Sequence, residues 1–335
     1  MISPIIHSDL AGPSPKLQHT AGISQNFTGG GNGMRVVWIF TGILAAASVS
    51  CAATGAGAPA NGADRPAAGA APEAATTLVR EVVYNELHDH DTHGFWKYWV
   101  EHRSPGGTRV EEQVETNDGP IARALLTNGH PLDAQGKQME ESRLRELMKS
   151  ASEQASQRRA YHDDEGRVGR ILALLPDAFL YEDAGQENGL RHLRFRPNPT
   201  YPARTIEARV FHAMTGDLWL DARMKRLARL NGTLAENVDF GFGLFGRLNR
   251  GGWFQMQRTR VSDTEWKTER LEVHMSGRAM LFHTVSRETS ELRGGFEPVP
   301  PRMSLEQGMR VLEEKDASVP ALQGKIAPAA LITSK

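Results

Sequence analysis

The second half of the chain constrains the fold most tightly. From residue 177 onward, short apolar runs recur with turn residues between them: 178–181, 190–195, 208–214, 218–221, 227–234, 253–261, 266–275 and 279–292. Gly185-Gln186-Glu187-Asn188-Gly189, Gly251-Gly252 and Ser276-Gly277 punctuate the series. Runs of this length, separated by Gly, Asn and Asp, pair as antiparallel strands through local connections. At the centre, Val210 and Phe211 belong to a β-like run that ends at Met214, and Thr215-Gly216-Asp217 supplies a turn. Leu218-Trp219-Leu220 starts the next strand. After a turn over 221–225, Leu227, Ala228, Leu230 and Leu234 form a third. No residue in this stretch is an evident nucleophile, metal ligand or phosphate cradle, so it describes a scaffold and names no reaction.

The preceding region reads as helix, meander and helices. Leu78, Val82, Val83 and Leu87 share one face of a helix over 73–87. Three strands follow at 95–103, 108–116 and 121–127, with Ser104-Pro105-Gly106-Gly107, Asn117-Asp118-Gly119 and Asn128-Gly129 as turns. Trp96, Tyr98 and Val100 fall on one face of the first strand, with Phe95 and Trp99 toward the other. Residues 132–161 carry many Glu/Arg pairs and a thin stripe of Met139, Leu144, Leu147 and Met148. A more apolar helix over 165–175 then stops at Pro176. Residues 132–175 are thus a helical insertion. Ser304 caps a closing helix over 304–314 that places Leu305, Met309 and Leu312 on one face.

The N-terminal region carries targeting information. Residues 1–33 lack apolar periodicity and read as an extension of the gene model ahead of a start at Met34. Residues 34–52 form a signal peptide, with Arg35 before a short apolar core over 36–47 that is too short to span a bilayer. Cys51, the single cysteine, is either the lipidated first residue of a lipoprotein or part of an ordinary cleavage region. Both readings place the protein in the periplasm or at the outer-membrane periphery. Residues 53–75 are an Ala/Gly/Pro-rich tether, 76–315 the folded domain and 316–335 a disordered tail. With 39 basic and 40 acidic side chains, the net charge of −1 offers no field for nucleic acid. Membrane contact is expected only through the signal peptide or a lipid on Cys51.

Three local patterns could carry chemistry. His88, His90 and His93, with Asp89 and Asp91, could bind a divalent ion and resemble the HxHxDH motif of metallo-β-lactamases, except that Thr92 stands where that motif needs Asp. Gly241-Phe242-Gly243-Leu244-Phe245-Gly246 is a literal GxGxxG. The Arg247–Gly252 stretch that follows cannot open a helix, so no cofactor is expected. The apolar residues of that loop either plug the sheet or face a ligand. No GxSxG elbow is present, and His212, His274 and His283 sit in predicted strands.

The order of elements, with Gly216-Asp217-Leu218-Trp219-Leu220-Asp221 followed by Arg229-Leu230-Asn231-Gly232, resembles the periplasmic lipoprotein carriers of the LolA/LolB and RseB-like fold. The chain as a whole also resembles uncharacterised secreted proteins of soil bacteria such as acidobacteria. The resemblance implies an α+β fold: a curved antiparallel sheet, or half-barrel, with covering helices over an apolar cavity. It implies a non-enzymatic binding protein for a lipid or other apolar ligand. Trp96, Trp99, Phe211, Trp219, Phe242, Phe245, Trp253 and Phe282 are the expected lining. The alternatives are an envelope protein-interaction or sensing module with a filled core, or a metal-dependent enzyme on the His88/His90/His93 loop.

Overall fold

The computed structural model describes residues 70–88, 94–240, 246–279 and 283–314. The expectations placed on 1–69, on His90, His93, Phe242, Phe245 and Phe282, and on the C-terminal tail lie outside those residues.

The fold is α+β, built on one curved, open antiparallel sheet. Helix α1 (Ala70–Leu87) leads into a meander of β1 (Phe95–Ser104), β2 (Gly107–Val114), β3 (Ile121–Thr127) and the short β4 (His130–Pro131). Helices α2 (Ala134–Lys149) and α3 (Ala151–Ala178) come next. The second meander comprises β5 (Phe179–Glu187), β6 (Leu190–Pro197), helix α4 (Ile206–Phe211), β7 (Met214–Asp221), β8 (Arg226–Leu234), β9 (Val238–Phe240), β10 (Gly246–Leu248), β11 (Trp253–Arg260), β12 (Trp266–Ala279) and β13 (His283–Val299). Helix α5 (Leu305–Glu313) closes the described chain.

The strand order is β4-β3-β2-β1-β13-β12-β11-β8-β7-β6-β5. The last strand returns to pair with the first, from Phe95 opposite Val299 to Arg103 opposite Ser290. The two meanders thereby fuse into one sheet whose edges are β4 and β5. The chain passes from β4 to β5 through α2 and α3, which accounts for the length of the helical insertion. Ten strand-to-strand steps at about 4.8 Å amount to roughly 48 Å along a flat sheet. The 28 residues of α3 reach about 42 Å at about 1.5 Å each, and the sheet's curvature shortens the path.

Local chemistry sets the helix ends. Asp133 caps α2 by accepting from the Gly136 amide, and Ser150 caps α3 by accepting from Glu153. Pro176 does not stop α3, which runs on to Ala178. Its final carbonyls are taken instead by Tyr181, whose hydroxyl donates to Leu175 O at 2.6 Å, and by Asn198, whose backbone N–H donates to Ala178 O. Ser304 and Gln307 form a capping box at α5.

Of the run at 208–214, read from sequence as a strand, residues 208–211 belong to helix α4, and Met214 already starts β7, which runs on through the expected turn at 215–217. Thr205 accepts from the Ala208 amide and supplies the N-cap, and Glu207 occupies the first turn. The apolar pair Val210-Phe211 is buried from one side of a helical turn. The GxGxxG segment joins β9 to β10, two antiparallel strands with Gly246 opposite Phe240, so the strand-then-helix setting of a dinucleotide site is absent there.

Helix α1 is clamped to the sheet at its C-terminal end. The Glu86 carboxylate accepts from the Leu227 amide at 3.0 Å and from Arg258 Nη1 at 2.6 Å, with Arg226 Nη1 at 3.8 Å. Arg258, with a side chain 3% exposed, also donates to Leu227 O and Trp266 O. Replacing Glu86 with Ala leaves the buried Arg258 guanidinium without its counter-ion. The expected cost is about 3–5 kcal/mol, read as a lower urea midpoint. An unchanged midpoint would show that the clamp does not hold the fold.

Candidate functional site

The inner face of the sheet changes character along its length. From β5 to β12 it is apolar. Tyr181, Phe195, Leu218, Leu230, Phe254, Met256, Leu271 and Val273 face Val79, Val82 and Val83 of α1 and Ile171 of α3 in one buried cluster. Gly216 and Gly232 stand directly opposite each other on β7 and β8. A Cβ on Gly216 would collide with the Phe195 ring, and one on Gly232 with the Phe254 ring. The paired glycines therefore make the space that two aromatic rings fill. A cavity of about 20 Å³ remains, lined wholly by apolar side chains that include Ile171, Leu175, Tyr181, Phe195, Phe211 and Phe254.

A second concavity opens beside it. A cleft of about 960 Å³ lies between the start of α1 (Thr76, Thr77, Arg80) and strands β5 to β8, and its lining includes Leu180, Tyr181, Glu182, Arg194, Phe195, Arg196, Gly216 and Asp217. Tyr181 and Phe195 belong to both linings, so two aromatic side chains separate the open cleft from the apolar interior. The start of α1 is held here by an exposed Arg80–Asp177 pair at 3.0 Å, against the buried Glu86 clamp at its other end.

Toward β1 and β2 the same inner face is charged. Glu115 accepts from the Trp96 amide at 3.1 Å and from Lys267 Nζ at 2.9 and 3.0 Å. Glu265 accepts from Trp96 Nε1 at 2.7 Å and from the Gly94 amide. Burial pushes the Glu115 carboxyl above its ordinary range despite the Lys267 ammonium beside it. Burial also raises Glu165 on α3, a side chain that bonds with His162. Glu291 behaves oppositely. Burial acts to raise it, but the hydrogen bond from His102 and the charge of Arg293 outweigh that and hold it at about 2. Helix α3 follows this gradient, with Tyr161 and Glu165 toward the charged end and Val168 and Ile171 buried toward the apolar end.

The outer face carries a stacked array. His192 and Trp219 stack with centroids 4.6 Å apart and planes at 2°, and the Arg229 guanidinium lies 4.6 Å from the Trp219 ring centroid. Glu187 accepts from Trp219 Nε1 at 2.7 Å. Trp253, 37% exposed, stacks on His274 on a neighbouring pair of strands.

The expected lining residues are therefore dispersed. Phe211 borders the apolar cavity. Trp96 lies at the charged end, where it packs with Tyr98 and Val100. Trp99 packs with Val110 and Leu126 in a separate cluster. Trp219 and Trp253 stand outside the apolar core, because Leu218 and Leu220 take the inward positions on β7 and Phe254 takes the one on β11. His88 is exposed and stacked on Tyr84, with Nδ1 2.6 Å from Tyr84 O. Among the described residues no group of three His, Cys, Asp or Glu side chains converges as for a metal ion. None of the described helices is long and apolar enough to cross a membrane.

Sequence reasoning missed the buried charges. Glu111 and Gln113 on β2, and Glu115 just after it, alternate with Val110, Glu112 and Val114, and the apolar parity draws attention to the side that packs on α5. Both sides are covered. Polar residues on the second parity, opposite the aromatic Trp96 and Tyr98, were the available signal.

No family model matches the chain, and no curated protein is similar to it. Among solved structures, the chain is weakly similar to a crystal structure of a DUF1329 family protein from Desulfovibrio piger ATCC 29098. The identity is 10% and the TM-score 0.27, over 70% of this chain and 95% of that one. A likeness at that level carries no argument about function.

The Glu291 carboxyl gives the charged end a pH signature. Its native pKa lies below the unfolded value, so its contribution is present above the ordinary carboxylate range. That contribution is lost as pH falls toward about 2. The drop from 4.5 to about 2 corresponds to about 3 kcal/mol. Unfolding free energies measured from pH 5 down to 2 should fall more steeply for the wild type than for Glu291→Gln. Parallel curves would contradict the assignment.

Proposed function

We propose that this protein is a non-enzymatic envelope binding protein that takes an apolar ligand, a lipid or acyl chain, beneath α3. The observation that carries the reading is the shared wall. An open cleft and a wholly apolar interior meet at Tyr181 and Phe195. A cavity of about 20 Å³ holds no chain, since ligand sites run to about 300–1,000 Å³. Entry therefore requires Tyr181 and Phe195 to swing and α3 to lift, with α1 hinged at its Glu86 end. The carrier-like strand motif supports the same reading. Its two glycines, Gly216 and Gly232, are the ones that seat Phe195 and Phe254 in the inner face. Secretion through the segment at 34–52, with or without a lipid on Cys51, places the protein where such ligands are carried.

A second reading is favoured by the filled core. With the interior this tightly packed, the protein would act as an interaction or sensing module that meets an envelope partner through its surface. Native mass spectrometry of the chain purified from a bacterial envelope separates the two. The carrier reading predicts an adduct of lipid mass that is lost on collisional activation. A clean apo mass that stays unchanged after incubation with a lipid extract would overturn it in favour of the interaction module.

A further inference from the structure

We propose that the outer face of the sheet binds an acidic glycan, a saccharide chain that carries carboxylates, along a row from Arg194 and Arg196 to Trp253. This site is separate from the apolar interior and does not depend on the carrier reading.

Strand alternation decides which side chains form it. Phe195, Met214, Leu234 and Phe254 point into the apolar core. Their neighbours Arg194 and Arg196 on β6, Thr215 on β7, Thr233 on β8 and Trp253 on β11 therefore point outward, on the face that carries the His192–Trp219 stack. Pairing sets them side by side, with Arg194 opposite Asp217, Thr215 opposite Thr233, and Thr233 opposite Trp253. From β6 to β11 is three strand steps, roughly 14 Å at about 4.8 Å each. Arg194, Arg196, Thr215, Asp217 and Thr233 all line the cleft, the start of α1 forms its rim, and Trp253 adjoins it at Thr233. Among the described helices, α3 and α4 pack on the inner face, and α2 and α5 pack beside β2 and β3.

The groups in this row match a charged sugar chain. Arg194 and Arg196 are exposed and about 7 Å apart on one face. No carboxylate among the described residues lies within ion-pair range of either, although Glu182 and Asp217 stand opposite Arg194 in register. Asp217 is engaged by His192, with Oδ1 2.7 Å from Nε2. Two guanidiniums are thus free to meet carboxylates in bidentate geometry. Trp253, 37% exposed, lies at 14° to His274, so the two rings make a flat aromatic surface that suits the C–H face of a pyranose. Acceptors stand among these donors: Glu182, Asp217 and Asn231, whose buried Oδ1 has no partner among the described residues. That mixture selects the ligand. Sugar hydroxyls both donate and accept, so they satisfy Glu182 and the two threonines while the carboxylates meet the arginines. A nucleic-acid strand carries a phosphate at every nucleotide, and Glu182 and Asp217 oppose it.

The test is isothermal titration of the full chain with hexagalacturonate, hexaguluronate, fully methyl-esterified hexagalacturonate and a thymidine dodecanucleotide. The proposal expects an acidic hexasaccharide to bind, with an affinity that falls as salt is raised, and the esterified chain to bind at least about tenfold more weakly. In Arg194→Gln/Arg196→Gln the affinity for the acidic chain should fall by about tenfold or more. Trp253→Ala should lose a similar factor, and Trp253→Phe should restore most of it. Arg159→Gln/Arg310→Gln removes two exposed charges from α3 and α5 and should bind as the wild type does. The altered side chains are all exposed, and circular dichroism checks that each variant is folded. Absence of binding by both acidic chains would overturn the proposal, as would equal binding of the acidic and esterified chains. An unchanged affinity in the arginine variant or in Trp253→Ala would also overturn it. An oligonucleotide that binds as tightly as the acidic glycans would replace it with a general polyanion surface. None of these outcomes bears on the apolar ligand, which native mass spectrometry reads separately.

Discussion

The pairing of β1 with β13 is the constraint on which the rest of the molecule depends. It joins residues from the two ends of the described chain, and the sheet cannot reach its full width without it. Non-local pairing of this kind costs loop-closure entropy before any contact rewards it, so it is expected to form late in folding. Once made, it turns two local meanders into one surface and fixes β4 and β5 as its edges. The helices α2 and α3 must then run from one edge to the other. The route of α3 across the inner face decides what is covered and what can open.

The inner face is matched to its cover. Where the sheet offers Leu218, Leu230, Phe254 and Val273, α1 and α3 bring Val79, Val82 and Ile171. Where it offers Tyr98, Glu115 and Glu291, α3 brings Tyr161 and Glu165. Buried charges of this sort contribute little net stability, because desolvation offsets attraction, but they penalise any packing that leaves one unpaired. They fix the position of α3 at its polar end. Its apolar end rests on non-directional contacts around a small cavity and on the hydrogen bond from Tyr181, which makes that end the easier one to displace.

Much of this was legible in the chain, and the failures have physical causes. Gly and Asn at the turns marked the hairpins, and Ser304 marked α5 with its capping partner Gln307. The strand read at 208–214 failed because Val210-Phe211 carries no period of its own, and Thr205, the residue that decides for helix, lies outside the apolar run. The lining failed for a different reason. In Leu218-Trp219-Leu220 every residue is apolar, so the sequence does not say which parity faces inward; the pairing of β7 between β6 and β8 does. Trp219 then stacks with His192 and Arg229, away from the apolar core. The charged inner surface around Glu115 escaped notice because alternation marks polar residues as solvent-facing. Only the passage of α3 overhead, which depends on the β1–β13 pairing, buries them.

The central claim is that the apolar interior opens from the cleft, beneath the C-terminal half of α3. Amide hydrogen exchange measured with and without oleate tests it most directly. The account predicts that protection changes in the last turns of α3 and in β5 around Tyr181, while β1 to β3 keep their exchange rates. A change confined to the outer face around Trp253 and His274, or no change at all in the presence of a bound chain, would contradict it.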